Sequence, residues 1–224
     1  MIPIFRKMAT CKIALRIPVL LTSLLFALVF LPLVLLAASF QEGAHYQRLP
    51  TPVPTSTEDK VEVVEVFWYG CPHCFHLEPV VDKWLEHKPD NVEFVRIPAV
   101  LGTSWELGAR AFYVAQSLGI LDKIHTPLFD AIHVQKKPMR TVDDLAAFFA
   151  EHGVDRATFD KTFQSFEVET KLRRSQDLVR RYRIDGVPTV IVNGKYFTTG
   201  TMAGSSAGIF EVVDYLVAQE SKQS

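Results

Sequence analysis

The sequence predicts an α/β domain opened in its middle by an all-helical insert. Three observations carry this. A β-branched segment, a helical stripe and a second β-branched segment follow one another over residues 61–98. Helical apolar stripes then succeed one another as far as Tyr182 with no strand pattern among them. An Asn-Gly hairpin and a last helix close the chain.

The first strand is "VEVVEVFW", residues 61–68, apolar on both alternating sets, as expected of a central strand covered on both faces. Pro72 suits a first helical turn, and Leu77, Val80, Val81, Trp84 and Leu85 recur at helical spacing to about His87, with a kink expected at Pro79. "NVEFVRIP", residues 91–98, reads as a second strand, so the three elements form a right-handed parallel unit. In the helical run, Leu107, Ala111, Val114 and Leu118 make a stripe ended by Gly119. A capping box from Thr141 to Asp144 opens a helix carrying Leu145, Phe148 and Phe149 that closes at Gly153. The later stripes, Phe159, Phe163 and Phe166, then Val168, Leu172, Val179 and Tyr182, read as core positions. "GVPTVIVNGKYFTTG" restores strand character around the Asn193-Gly194 turn. The last helix, residues 206–219, turns Phe210, Val213, Leu216 and Val217 inward.

Ahead of the first strand, "LPTPVPTSTEDK" is proline-rich and polar and reads as an extended tether. The expected organisation is therefore a leader over 1–39, an extended segment over 40–60, and an α/β domain in two parts, 61–103 and 184–224, around a helical insert over 104–183. No fixed-period repeat suggests a solenoid.

A chain of 224 residues that is 48% hydrophobic can bury a substantial core. A net charge of −1 without a long run of either sign gives no footprint for nucleic acid, which is excluded as the main partner. Arg6, Lys7, Lys12 and Arg16 precede an almost uncharged stretch over 17–38, the pattern of an export signal. Ala37 and Ser39 suit cleavage before Phe40, and an uncleaved N-terminal membrane anchor is the alternative because the stretch is about as long as a bilayer span of ~20 residues. The bulk of the protein is thus expected outside the cytoplasm. Of three cysteines, Cys11 falls in the leader without the apolar run that precedes a lipidated cysteine, and it is given no role.

Cys71 and Cys74 remain, in "WYGCPHCFH". A loop this short restrains almost none of the unfolded chain, so a structural staple is a poor reading. Zinc would want four ligands, and the second half-site is missing although His73, His76 and His87 lie close in sequence; no metal is expected. Redox chemistry needs fewer assumptions. Cysteines three apart at a helix start share a face and can bridge without backbone rearrangement. Free N–H groups of the first turn and the helix dipole favour the Cys71 thiolate and lower its pKa. His73, between the two, can donate a hydrogen bond or carry positive charge beside that thiolate. His76, by contrast, reads as a surface polar residue.

The order of elements, "EVFWYGCPHC" and "GVPT" before a strand together resemble the DsbA family of thiol:disulfide oxidases, from Val61 nearly to the C-terminus. That resemblance implies a thioredoxin fold with an inserted helical domain, an acidic first cysteine, an oxidising couple and a periplasmic location. It also implies that the Val187-Pro188 bond is cis and faces the cysteines, with Val187 offering backbone groups to an extended substrate and Pro188 keeping the site narrow.

Glu65 lies in the strand expected to be covered on both faces, where burial would raise its pKa and let it exchange a proton with Cys74. The DsbA family has a buried acid in the corresponding place; an ion pair with Arg96 is the other reading, and both can hold at once. The expected activity is donation of the Cys71–Cys74 disulfide to reduced exported proteins by a monomer that needs no cofactor. By family analogy a DsbB-type membrane partner would reoxidise it. The rival readings are a reductase or isomerase on the same fold and a non-catalytic chaperone or binding protein.

Overall fold

The computed structural model describes residues 40–222. The leader and anchor readings, and Cys11, fall outside those residues. Five strands form one mixed sheet in the order β1-β5-β4-β2-β3, with β1 at Gln47–Arg48, β2 at Val61–Phe67, β3 at Val92–Pro98, β4 at Thr189–Val192 and β5 at Tyr196–Thr199. Between β2 and β3 runs α1, Pro72–Leu85, so β2 and β3 are parallel neighbours. After β3, a short 3-10 turn leads into α2 (Glu106–Ser117), α3 (Leu121–His133), α4 (Val142–Glu151), α5 (Arg156–Phe163) and α6 (Phe166–Arg181). The antiparallel strands β4 and β5 then return the chain to the sheet, followed by the single turn α7 (Gly200–Ala203) and by α8 (Ser206–Glu220).

Every position of β2 is buried, as its two apolar sets require. Alternation sends Val63 towards Leu77, Val81 and Trp84 of α1 and Val213 and Leu216 of α8, and sends Val64 and Val66 towards Val179 and Tyr182 beyond the opposite face. By the same alternation Glu65 points to the α1 side. Phe67, at the end of β2, belongs to the cluster built with Phe112, Leu128, Phe129 and Phe149 of the helical segment. Truncating Phe67 to alanine would cost roughly 3–5 kcal/mol, and the strand that leads to the cysteines is anchored in three apolar clusters at once. The Trp84 indole N–H donates to Asp214 Oδ1 at 2.8 Å and ties α1 to α8.

Caps set the helix starts. The Thr141–Asp144 capping box is present, and Asp155, Ser165 and Ser205 cap α5, α6 and α8. Helix α1 continues through Pro79 to Leu85. Asn193 and Gly194 both take positive φ, 52° and 59°, in the two-residue hairpin. Gly194 is required for a second reason: a Cβ there would sit 1.9 Å from the Val53 carbonyl oxygen.

Two expectations need correction. Residues 41–60 are not a free tether, because Tyr46, Leu49 and Val53 are buried and β1 pairs with β5. Leu49 and Val53 donate their N–H groups to the carbonyls of Lys195 and Gly194 at 2.7 and 2.8 Å. Pro50, Pro52 and Pro54, which have no N–H to give, lie exposed, the arrangement that lets a proline-rich segment serve as a sheet edge. Phe166 is not a core residue. It is 85% exposed, because Ser165 caps a new helix and breaks the stripe that Phe159 begins.

Candidate active site

Helix α1 begins at Pro72, so Cys71 is its N-cap and Cys74 lies in its first turn. Cys71 Sγ accepts a hydrogen bond from the Cys74 N–H at 3.2 Å, the place a serine or aspartate side chain takes in ordinary caps. Neither sulfur is bridged in this structure. Both cysteines are buried, with 6% exposure at Cys71 and 0% at Cys74, so Cys71 is the accessible member of the pair without being an exposed residue.

Their surroundings act in opposite directions. The Cys71 pKa is drawn down to about 6, first by a hydrogen bond from the Cys74 thiol, against burial, and further by the N–H groups of Cys74 and His73 and the charge of His73. Burial pushes the Cys74 thiol far up, reinforced by the bond to Cys71, by the charge of Cys71 and by Glu65. A negative charge in this pair therefore rests on Cys71.

The Val187-Pro188 peptide bond is cis, and the Cys71 thiol lies 3.5 Å from the Val187 carbonyl oxygen as donor. His73, Val187 and Pro188 line one groove of about 430 Å³ together with Thr199, Thr201 and Ser206. His73 is exposed at its mouth, and His76 is exposed one turn further on. Trp68 stacks on Trp105 with ring centroids 4.2 Å apart and planes 6° from parallel. Gly70 lies beneath that stack, where a Cβ would come within 2.3 Å of the Trp68 ring.

Below Cys74 lies a group of charged side chains that the fold withdraws from water. Parallel register sets Glu65 beside Arg96, whose Nε donates to Glu65 Oε2 at 3.1 Å. The Nη2 of Arg96 donates to Glu78 Oε2 at 3.2 Å. One guanidinium thus serves two buried carboxyls. His125 of α3 brings Nε2 to 3.3 Å from the same Glu78 oxygen, and its Nδ1 is 2.8 Å from the Tyr69 hydroxyl. The His125 approach is off the line of a hydrogen bond, and His125 Nε2, Glu65 Oε1 and Glu78 Oε1 are buried without hydrogen-bond partners. Each such atom carries a penalty of ~1–3 kcal/mol, so the cluster is held by its surroundings more than by its own bonds.

Glu65 rises to about 7 through burial and then the charge of Glu78, with Arg96 and His125 opposing. Glu78 also rises to about 7 through burial, with Arg96 opposing and Asp82 assisting. Burial, with Arg96, lowers His125 to about 3, so its approach to Glu78 is that of a neutral ring and not an ion pair. Glu65 is therefore both ion-paired with Arg96 and able to hold a proton near neutrality.

Three members of this cluster escape a reading of the sequence. Glu78 stands four residues after Cys74 and so shares its helix face, a usable signal that the apolar stripe obscures. His125 sits inside the apolar run of Ile124, Leu128 and Phe129, and Tyr69 looks like one more strand-end aromatic.

Comparisons with known proteins agree with this site. Residues 96–207 match the model of a DSBA-like thioredoxin domain. The thiol:disulfide interchange protein DsbA of Azotobacter vinelandii is 41% identical over 184 residues, which cover 82% of this chain and 86% of that protein. The crystal structure of Pseudomonas aeruginosa DsbA superposes with a TM-score of 0.78 at 38% identity, covering 82% of this chain and 96% of that one. The oxidoreductase DsbA of Xylella fastidiosa gives 0.77 at 35% identity, over 81% and 98%. A sheet that carries a Cys-Pro-His-Cys helix start opposite a cis-proline, relatives above one-third identity over most of both chains and a shared fold lead to one conclusion: the chain belongs to the DsbA family of thiol:disulfide interchange proteins.

Proposed function

We propose that the protein is a thiol:disulfide oxidase that donates a Cys71–Cys74 disulfide to reduced exported proteins. The observation that carries this reading is the opposite treatment of two cysteines three residues apart, Cys71 favoured as thiolate and Cys74 as thiol. A client thiolate attacks Cys71 Sγ and displaces Cys74. A second client thiolate then attacks the client sulfur of the mixed disulfide, and Cys71 departs readily because an acidic thiol is a good leaving group. Stabilising the Cys71 anion favours the reduced protein, which makes the disulfide a stronger oxidant.

In this reading His73 supports the Cys71 anion, Glu65 exchanges the Cys74 proton, and Val187 and Pro188 receive an extended client segment in the groove beside Cys71. The inserted helical domain, residues 104–183, packs Phe112 and Phe129 against Phe67 and Tyr69 and so braces the loop that leads to the cysteines. Residues 1–39 would export the protein to the periplasm, where a DsbB-type membrane partner would return its electrons to the membrane.

Titrating the Cys71 thiolate absorbance while equilibrating the protein with a glutathione buffer tests this directly. The expected results are a midpoint near 6 and a disulfide readily reduced by glutathione. A midpoint near that of a free thiol with a strongly reducing couple would instead make it a reductase. Full function of Cys71→Ser in client oxidation would make the cysteines incidental.

A further inference from the structure

The geometry points to His125 as a positioning residue for the proton that Cys74 takes up, because it selects which of two buried carboxyls, Glu65 or Glu78, holds that proton. Its mechanistic consequence rests on the oxidase reading above, whereas the assignment itself rests on the cluster alone.

Arg96 supplies one positive charge between two carboxyls, so ionising both would leave an uncompensated negative charge away from water. The two acids are not equivalent. Glu78 Oε2 receives Arg96 Nη2 at 3.2 Å and faces His125 Nε2 at 3.3 Å, whereas Glu65 Oε2 receives Arg96 Nε alone at 3.1 Å. Glu78 also keeps 4% exposure against 0% for Glu65. The Arg96 hydrogen bond, the nearby Nε2–H of His125 and the better access to water place the anion on Glu78 and the proton on Glu65, the acid whose charge is felt by Cys74.

The orientation of His125 follows from its other nitrogen. Nδ1 lies 2.8 Å from the Tyr69 hydroxyl, and with that hydroxyl donating, the ring proton resides on Nε2, the nitrogen 3.3 Å from Glu78 Oε2 and off the line of a hydrogen bond to it. The charged and titratable groups around the ring are Glu65 on β2, Tyr69 after it, Glu78 and Asp82 on α1, Arg96 on β3 and Asp122 on α3. Burial and Arg96 keep the imidazole neutral, so it acts as an oriented dipole.

The step balances without any further reagent. The client thiolate forms a bond to Cys71 Sγ, the Sγ–Sγ bond breaks, and its electron pair passes to Cys74 Sγ. That sulfur takes the proton of Glu65, and the carboxylate left beside Arg96 regains a proton from solvent, so the two acids are not both left ionised. His125 neither gains nor loses a proton. A residue of the helical segment thereby keeps loaded the acid whose charge acts on Cys74.

Carbon NMR of the oxidised protein with labelled glutamate carboxyls tests this at neutral pH, Glu65→Gln and Glu78→Gln serving only to assign the two signals. In the wild type the Glu65 carboxyl should be protonated and the Glu78 carboxyl ionised. In His125→Leu the proton should shift by about tenfold towards Glu78, since Glu78 Oε2 loses the nearby Nε2–H. His125→Gln, which retains an N–H, should restore the wild-type assignment. A proton that stays on Glu65 in His125→Leu would overturn the inference. If that variant does not fold, nitrogen NMR of the wild type decides: a proton on His125 Nε2 supports the inference and one on Nδ1 sinks it. None of these measurements needs turnover, so a protein without client-oxidising activity would defeat the proposed function and leave this assignment standing.

Discussion

Cys71 and Cys74 stand one helical turn apart, and the structure treats them as opposites. Cys71 caps α1, where N–H groups converge on its sulfur, and lies 3.5 Å from the carbonyl of Val187, a residue that lines the adjoining groove. Cys74 turns into the fold, above two carboxyls that share one guanidinium. A cap turns a thiol into an anion site, and burial over acids turns the same group into a proton holder. The asymmetry that makes a disulfide directional therefore comes from where each sulfur lies along the first turn, not from the residues that bear them.

Removing one sulfur at a time should break the comparison outright. Cys71→Ser should abolish client oxidation to the uncatalysed background in a client-refolding assay. Cys74→Ser should likewise abolish client oxidation, because no Cys71–Cys74 disulfide can form, but should leave Cys71 reactive: incubated with a disulfide-bonded probe, its thiolate should displace one probe thiolate and appear as a mixed disulfide on non-reducing gels.

Next in size is the stability difference between redox forms. A folded pKa of about 6, below that of the unfolded thiol, stabilises the dithiol protein above pH 6, and that contribution is lost as pH falls through 6. Calorimetry should find the reduced form melting later than the oxidised form, with the gap widening by about 1.4 kcal/mol per pH unit from 6 towards the free-thiol value. A gap independent of pH would remove the role of the Cys71 anion.

The acid side has the opposite sign. Glu65, raised to about 7, favours the fold while protonated, so its contribution falls as pH rises from the ordinary carboxylate range to about 7. Denaturant titrations of Glu65→Gln should show a flatter pH profile and, above pH 7, stability higher than wild type by on the order of 1–3 kcal/mol. The smallest effect belongs to His73, which touches only the Cys71 side. His73→Ser should raise the Cys71 midpoint by about one unit, about 1.4 kcal/mol, and leave the pH profile of Glu65 unmoved.

Much of this was legible along the chain. The unbroken apolarity of β2, the Asn193-Gly194 turn and the Thr141 capping box are local patterns, and each forms where it was read. The Cys-Pro-His-Cys site was legible for the same reason, since spacing and a helix start are sequence properties. Glu65 could be suspected because a carboxylate in a doubly covered strand must find an explanation. The proline-rich segment misled because its buried residues, Leu49 and Val53, alternate with prolines whose exposure only the β5 hairpin explains. Phe166 misled because periodicity does not show where a cap interrupts it.

The sequence by itself determined the elements, their order, the helix start that Cys71 caps and the acid placed before it, because propensity, capping and alternation act over a few residues. Only the tertiary structure decided that Arg96 lies between Glu65 and Glu78, and that α3 delivers His125 to the same oxygen. Those meetings depend on sheet register and on how the helical segment seats against α1. A charged cluster drawn from four elements is set by distances of about 3 Å between residues far apart in the chain, which no local pattern encodes.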